Sequence, residues 1–148
     1  MALFQHNNIA ITDEGGLAVK MINKTGAASV KGTLVEASTA QDFAFGLTGA
    51  TDFMPIGVVY ESGVADGDPC LVVTYGIADV LLEDSTASTH GNWVKSSDSA
   101  GGRADASAAV PPGGGVAELT QHSREIGHCL ESKGAGTNVL ARCFIHFN

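Results

Sequence analysis

The chain is short of charge, and most of the charge it has is of one sign. Charged residues make up 16% of its 148 residues, well below the roughly 25% of ordinary soluble chains. Between residues 32 and 94 there is no Lys or Arg, while nine carboxylates fall in the same stretch. Sixteen acidic against eight basic residues give a formal charge of -8, which repels nucleic acid and argues against a direct nucleic-acid partner. No apolar run approaches the 18 or so residues of a membrane span, so no membrane partner is expected. The opening "MALFQHNNIAITDEGG" has neither the basic n-region nor the apolar h-region of a secretory leader. Cys70, Cys129 and Cys143 are an odd set without close pairing, which argues against a disulfide framework and suits three free thiols in a reducing cytoplasm. A chain of this length buries roughly 70% of its unfolded surface in one core and does not need disulfides.

What the chain has in quantity is glycine and apolar residues. Nineteen glycines punctuate a sequence that is 44% hydrophobic, leaving short runs rich in Val, Ile, Phe, Tyr and Thr that suit strands. The candidates are "LAVKMIN", "GTLVEAS", "PIGVVYES", "PCLVVTYG", "IADVLLE", "NWVKSS", "GRADAS", "REIGHCLES" and "NVLARCFIHF". The fold class predicted is all-β: a small barrel or sandwich of short antiparallel strands and hairpins. One short helix of about two turns is expected from Ala117 to Ser123.

Two phrases nearly repeat. "IGVVYES" from Ile56 and "IGHCLES" from Ile126 are each followed by a turn-forming stretch and an apolar run. Both read as hairpins, with Asp66-Gly67 and Gly134/Gly136 in the turns and Pro69 opening a return strand. Gly57 and Gly127, second in each strand, predict a bulge or a close backbone approach. Residues 1–16 read as an extended N-terminal arm carrying Leu3, Phe4, Ile9 and Ile11, and residues 17–148 as a single β domain. Residues 96–115, rich in Ser, Ala and Gly with Pro111-Pro112, predict a surface hairpin and then a mobile loop.

Catalytic signatures are missing. There is no Gly-x-Ser-x-Gly; "KGAGTN" lacks the third glycine and the closing Lys-Ser/Thr of a phosphate loop; and "DGD" at residues 66–68 lacks the downstream glutamate of an EF-hand. Asp79, Glu83 and Asp84 could pair as general acid and base, but nothing in the sequence places them in a cleft. His122, His128, Cys129, Cys143 and His146 crowd the last 27 residues. On strands, however, Cys143 and His146 point to opposite faces, as do the adjacent His128 and Cys129, so ligands would have to come from separate strands. The expectation is therefore no enzyme, no cofactor and no metal, with the cysteines acting as small buried hydrophobes.

In "NVLARCFIHF" alternation puts Val139, Ala141, Cys143, Ile145 and Phe147 on one face and Leu140, Arg142, Phe144 and His146 on the other. Large apolar groups on both faces mean that Leu140 and Phe144 face a second sheet or another subunit; in the second case they, with Trp93, are the subunit-interface candidates. "CLVVTYG" is apolar almost throughout, which fits either a strand buried on both sides within one chain or a further interface.

The run "GVADGDPCLVVTYGIADVLLEDSTASTHGNWVKSSDSAGGRADA" together with "EIGHCLESKGAGTNVLARCFIHFN", and "INKTGAASVKGTLVEAS" upstream, resembles the capsid decoration or cement proteins of tailed bacteriophages over most of residues 17–148. The resemblance implies a structural virion protein on the outer capsid surface, a homotrimer bound to the major capsid protein and resisting the pressure of packaged DNA. It carries over no catalytic residues. Under this expectation Leu3, Phe4, Ile9 and Ile11 form a capsid-binding arm. The other expectation is a surface-displayed carbohydrate-binding or adhesive β-module, for which Trp93, Tyr60 and Tyr75 are the aromatic supply.

Overall fold

A computed structural model describes residues 4–6, 8–52, 54–107 and 115–147. Its elements in chain order are β1 (Phe4–His6), β2 (Ile9–Ile11), β3 (Gly16–Asn23), β4 (Leu34–Ala37), β5 (Ala44–Leu47), β6 (Gly57–Val59), β7 (Pro69–Leu81), β8 (Trp93–Ser96), β9 (Ala104–Ser107), α1 (Val116–Ser123), β10 (Glu125–Cys129) and β11 (Leu140–Ile145). The chain is all-β, as its composition predicts, and the short helix forms where expected. The strands make one sheet in the order β1-β2-β3-β5-β4-β6-β7-β11-β10-β8-β9.

A second pairing of β3, with β7, closes β3-β5-β4-β6-β7 into a five-stranded ring. Val35, Phe45, Val59, Cys70 and Val72 fill its inside. The remaining strands continue from the far half of β7 through β11, β10 and β8 to β9. A parallel bridge from Leu82 to Ala104 then curls β9 back toward the end of β7. Between the ring and this second group lies the larger core, in which Leu34, Val58, Leu71 and Val73 meet Val80, Val94, Ile126, Ala141 and Ile145.

The long strand β7 serves both halves through a bulge. Leu17 stands opposite Tyr75 and Ala18 opposite Val73, so Thr74 is the extra residue. One extra residue inverts the alternation. Leu71 and Val73 therefore share a core with Ala78 and Val80, while Tyr75 turns outward. This settles the reading of "CLVVTYG": Cys70, Leu71, Val72 and Val73 are buried on both sides by their own chain, and no second subunit is needed to cover them.

Both repeated phrases form antiparallel hairpins, β6 with β7 and β10 with β11. Each Ile-Gly has a packing reason. A Cβ on Gly57 would strike the Val72 side chain and lie 2.9 Å from the Val73 carbonyl oxygen. Gly127 has φ +150° and sits at a register shift between β10 and β8. Cys129 and Cys143 stand opposite each other across the second hairpin as buried free thiols, with Cys143 Sγ donating to Cys129 Sγ at 3.9 Å.

The described residues 4–6 and 8–16 correct the expectation of an extended arm. β1 and β2 form a hairpin, and β2 pairs with β3. Ala10 and Thr12 are fully buried, and the Thr12 hydroxyl accepts a hydrogen bond from the Gly16 amide at 2.9 Å. Short alternation brings Ala10 to the core, so the segment gains more from docking than from staying extended in water. The loop expected around Pro111-Pro112 lies outside the described residues.

Candidate functional site

The outer face of the sheet carries one row of large side chains that the register lines up across successive strands. On β10 and β11, His128 stands opposite Phe144, and on β8 Trp93 stands opposite His128. Phe144 is paired with Ile77 of β7 and packs edge-to-face on Tyr75, ring centres 5.4 Å apart. Tyr75 is opposite Leu17, and Leu17 is opposite Ile11. Directly opposed residues share a face, so Trp93, Phe144, Tyr75, Leu17 and Ile11 form one outward strip. Much of it is open to water: Tyr75 is 53% exposed, Leu17 37%, Phe144 36% and Ile9, beside Ile11, 49%.

The structure thus joins two sets of residues that the sequence kept apart. Ile9 and Ile11, taken as arm anchors, share the strip with Phe144, taken as an interface residue. Trp93 ends the row half-buried. Phe4 holds the register position opposite Ile11, and Leu3 lies outside the described residues. Leu140 does not belong to the row. It lies beyond the Arg142–Asp79 ion pair, half-buried, with a methyl group occupying the space where a side chain at Gly32 would begin.

A charge network borders the strip. Asp79 accepts from Arg142 at 3.0 Å and pairs with Lys31 at 3.1 Å, and Lys31 also reaches Glu14 at 2.8 Å. Burial works against the Asp79 charge, but the hydrogen bonds and charges of Arg142 and Lys31 outweigh it and hold its carboxyl below the usual range. Asp79 is therefore a structural anion and a poor proton donor. Nor do the other acid–base candidates gather with it. Asp84 pairs with Arg103, and Glu83 accepts hydrogen bonds from Ser97 and Ser99.

A groove of about 460 Å³ lies elsewhere, lined by Thr25, Val30, Leu47, Gly102, Arg103 and Asn138 among others. Its one charged group is committed: the Arg103 guanidinium donates to the Leu82 carbonyl, Asp84 and Asn138. Tyr75 and Phe144 meet at an interplanar angle of 83°, so they do not present the flat double platform on which a sugar stacks. Searches with the sequence find no matching protein-family model and no matching curated protein.

Two carboxyl pairs elsewhere give the acidity a measurable consequence. A hydrogen bond with Asp52, aided by burial and by the charge of Asp52, pushes the Glu36 carboxyl up to about 7. Burial, then the hydrogen bond with Glu83, pushes Asp105 up to about 6. Both groups bind protons more tightly in the folded state than at their ordinary values of 4.5 and 3.8. Their stabilisation is complete below those values and is lost as pH rises to about 7 and about 6. Asp79, Asp98 and Glu83 are shifted down and act oppositely, losing their contribution only at lower pH. The melting temperature is expected to be higher near about pH 5 than near about pH 7.5, with Glu36→Gln flattening that difference. A melting temperature that rises across the same interval contradicts the shared-proton assignment.

Proposed function

We propose that this chain is a structural virion protein that binds the outer surface of an assembled bacteriophage capsid as a homotrimer and stabilises the shell against the pressure of packaged DNA. The observation that carries the reading is the row of Ile9, Ile11, Leu17, Tyr75 and Phe144, which the register makes contiguous on the outer face of an acidic β domain. Contiguous exposed apolar surface of this kind is typical of protein contact sites, and the acidity suits a protein that meets capsid protein and leaves DNA alone. The resemblance to decoration proteins supplies the partner: the major capsid protein.

The N-terminal hairpin takes over the role expected of an arm. β1 is the last strand at one end of the sheet, so its free edge can accept a strand from a shell subunit through backbone hydrogen bonds. One such contact is weak. Three joined in a trimer act at effective concentrations in the millimolar range and raise avidity by about 10² to 10⁴.

The test is co-sedimentation of the purified chain with capsid shells of the phage that encodes it. A deletion of residues 2–12 would take Ala10 and Thr12 out of the core. Ile9→Ser with Ile11→Ser leaves those two in place. Wild type should pellet with shells and raise their resistance to heat, and the double variant should remain folded and bind at least roughly tenfold less well. Failure of the wild type to bind shells contradicts the proposal.

A further inference from the structure

The strand bulge at Gly127 does more than relieve a clash. Residues three apart on a regular strand point to opposite faces. In β10, Glu125 is paired with Lys95 and Gly127 with Val94, so Ile126 is extra and the alternation inverts between Glu125 and His128. Both side chains consequently emerge on the outer face. Bulges re-aim side chains in this way. His146 follows Phe144 on the outer face just past β11, and its amide donates to the Ile126 carbonyl at 2.8 Å. The three come together: the ligand atoms of Glu125, His128 and His146 lie within 4.8 Å of one another.

We infer that Glu125, His128 and His146 form a binding site for a borderline divalent metal ion of the zinc or cobalt class. The donor set is two imidazoles and one carboxylate, a combination suited to such ions and one that leaves a coordination position open. The Glu125 carboxylate is directed at imidazoles: its oxygens lie 3.8 Å from His128 Nδ1, 3.9 Å from His146 Nε2 and 3.2 Å from His122 Nδ1. The two imidazole rings of His128 and His146 are 5.6 Å apart and tilted by 35°. Ligand atoms around a tetrahedral ion with bonds of about 2.0–2.1 Å are about 3.3 Å apart. The side chains therefore need to close by about an ångström. His128 is 52% exposed and His146 35%, so both rings have room to turn. His122, in the last turn of α1, reaches the second oxygen of Glu125 and is placed either to orient that carboxylate or to take the fourth position. A bound ion ties α1, β10 and the C-terminal end of β11 at one point.

The site also explains the histidine crowding that strand alternation alone left without a ligand set. Cys129 and Cys143 belong to the opposite, inner face and take no part.

The experiment is titration of the full chain with Co(II), read by its visible absorption, with Zn(II) as competitor. Saturation is expected at one ion per chain with micromolar affinity, displaced by Zn(II) and weakening as the medium is acidified, because imidazoles bind metal only when unprotonated. His128→Ala, His146→Ala and Glu125→Gln should each weaken binding at least roughly tenfold. His90→Ala, at an exposed histidine hydrogen-bonded to Ser132, should leave it unchanged. Melting temperatures of the metal-free variants check that each is folded. Absence of saturable one-to-one binding, or binding that survives in all three folded variants, overturns the assignment. Shell binding is not involved in this readout, so the metal site and the proposed function stand or fall separately.

Discussion

Gly127→Ala is expected to destabilise the chain by about 3 kcal/mol or more, with a fall in melting temperature of roughly 10 °C. The backbone there has φ +150°, and a Cβ would run into the Phe144 carbonyl oxygen and lie 2.8 Å from the Ile145 Cα. Those are backbone atoms of the neighbouring strand, held by the β10–β11 ladder, so they cannot swing aside as a long side chain does. A loss of this size is a large part of the stability of an ordinary domain. Gly134→Ala makes the comparison sharp. Its added Cβ meets nothing within 4 Å, and the change should stay within about 0.5 kcal/mol. Thermal denaturation of the two variants decides the matter. Equal melting temperatures would mean that the bulge tolerates a side chain and that its glycine is incidental.

The second large effect concerns the strip. Leu17→Ser, Tyr75→Ser and Phe144→Ser together should lower shell binding by roughly 100-fold or more, since a few central aromatic and aliphatic groups dominate a contact of this kind. Stability should change far less. All three side chains are more than a third exposed, and none belongs to either buried core. Unaltered binding by the folded triple variant would move the contact elsewhere on the surface. Val116 and Leu119, exposed three apart on α1, would then be the next residues to substitute.

How much of this was legible in the sequence depends on whether the cause was local. The two hairpins were readable because turn chemistry and an apolar run sit side by side in the chain, and Gly57 and Gly127 announced close approaches by their place in each strand. The inner and outer faces of β11 followed from alternation. By contrast, β5 is four residues, Ala44–Leu47, with a glycine inside, too short to show a period. β1 and β2 are three residues each, and their place in the sheet depends on β3, which no local pattern predicts. β7 read as two strands because Gly76 looks like a break, whereas it stands opposite Gly16 and the ladder runs through it.

The site was less legible than the fold for the same reason. Phe144, Ile9 and Ile11 drew notice as large apolar groups in the wrong company, but their union depends on Leu17 and Tyr75, which only the register of four strands brings between them. The inversion at Thr74 that turns Tyr75 outward leaves no mark in the sequence beyond a threonine in an apolar run. His128 and His146 were set aside by strict alternation, and Glu125 was not weighed with them. Strict alternation separates Glu125 from His128, and one extra residue at Ile126 reunites them. An Ile-Gly pair heading a histidine-bearing strand is the signal that pointed to it.

The proposed homotrimer is tested most directly by sedimentation equilibrium of the purified protein at micromolar concentration. A trimer is predicted. A single species of monomer mass throughout the micromolar range would contradict it.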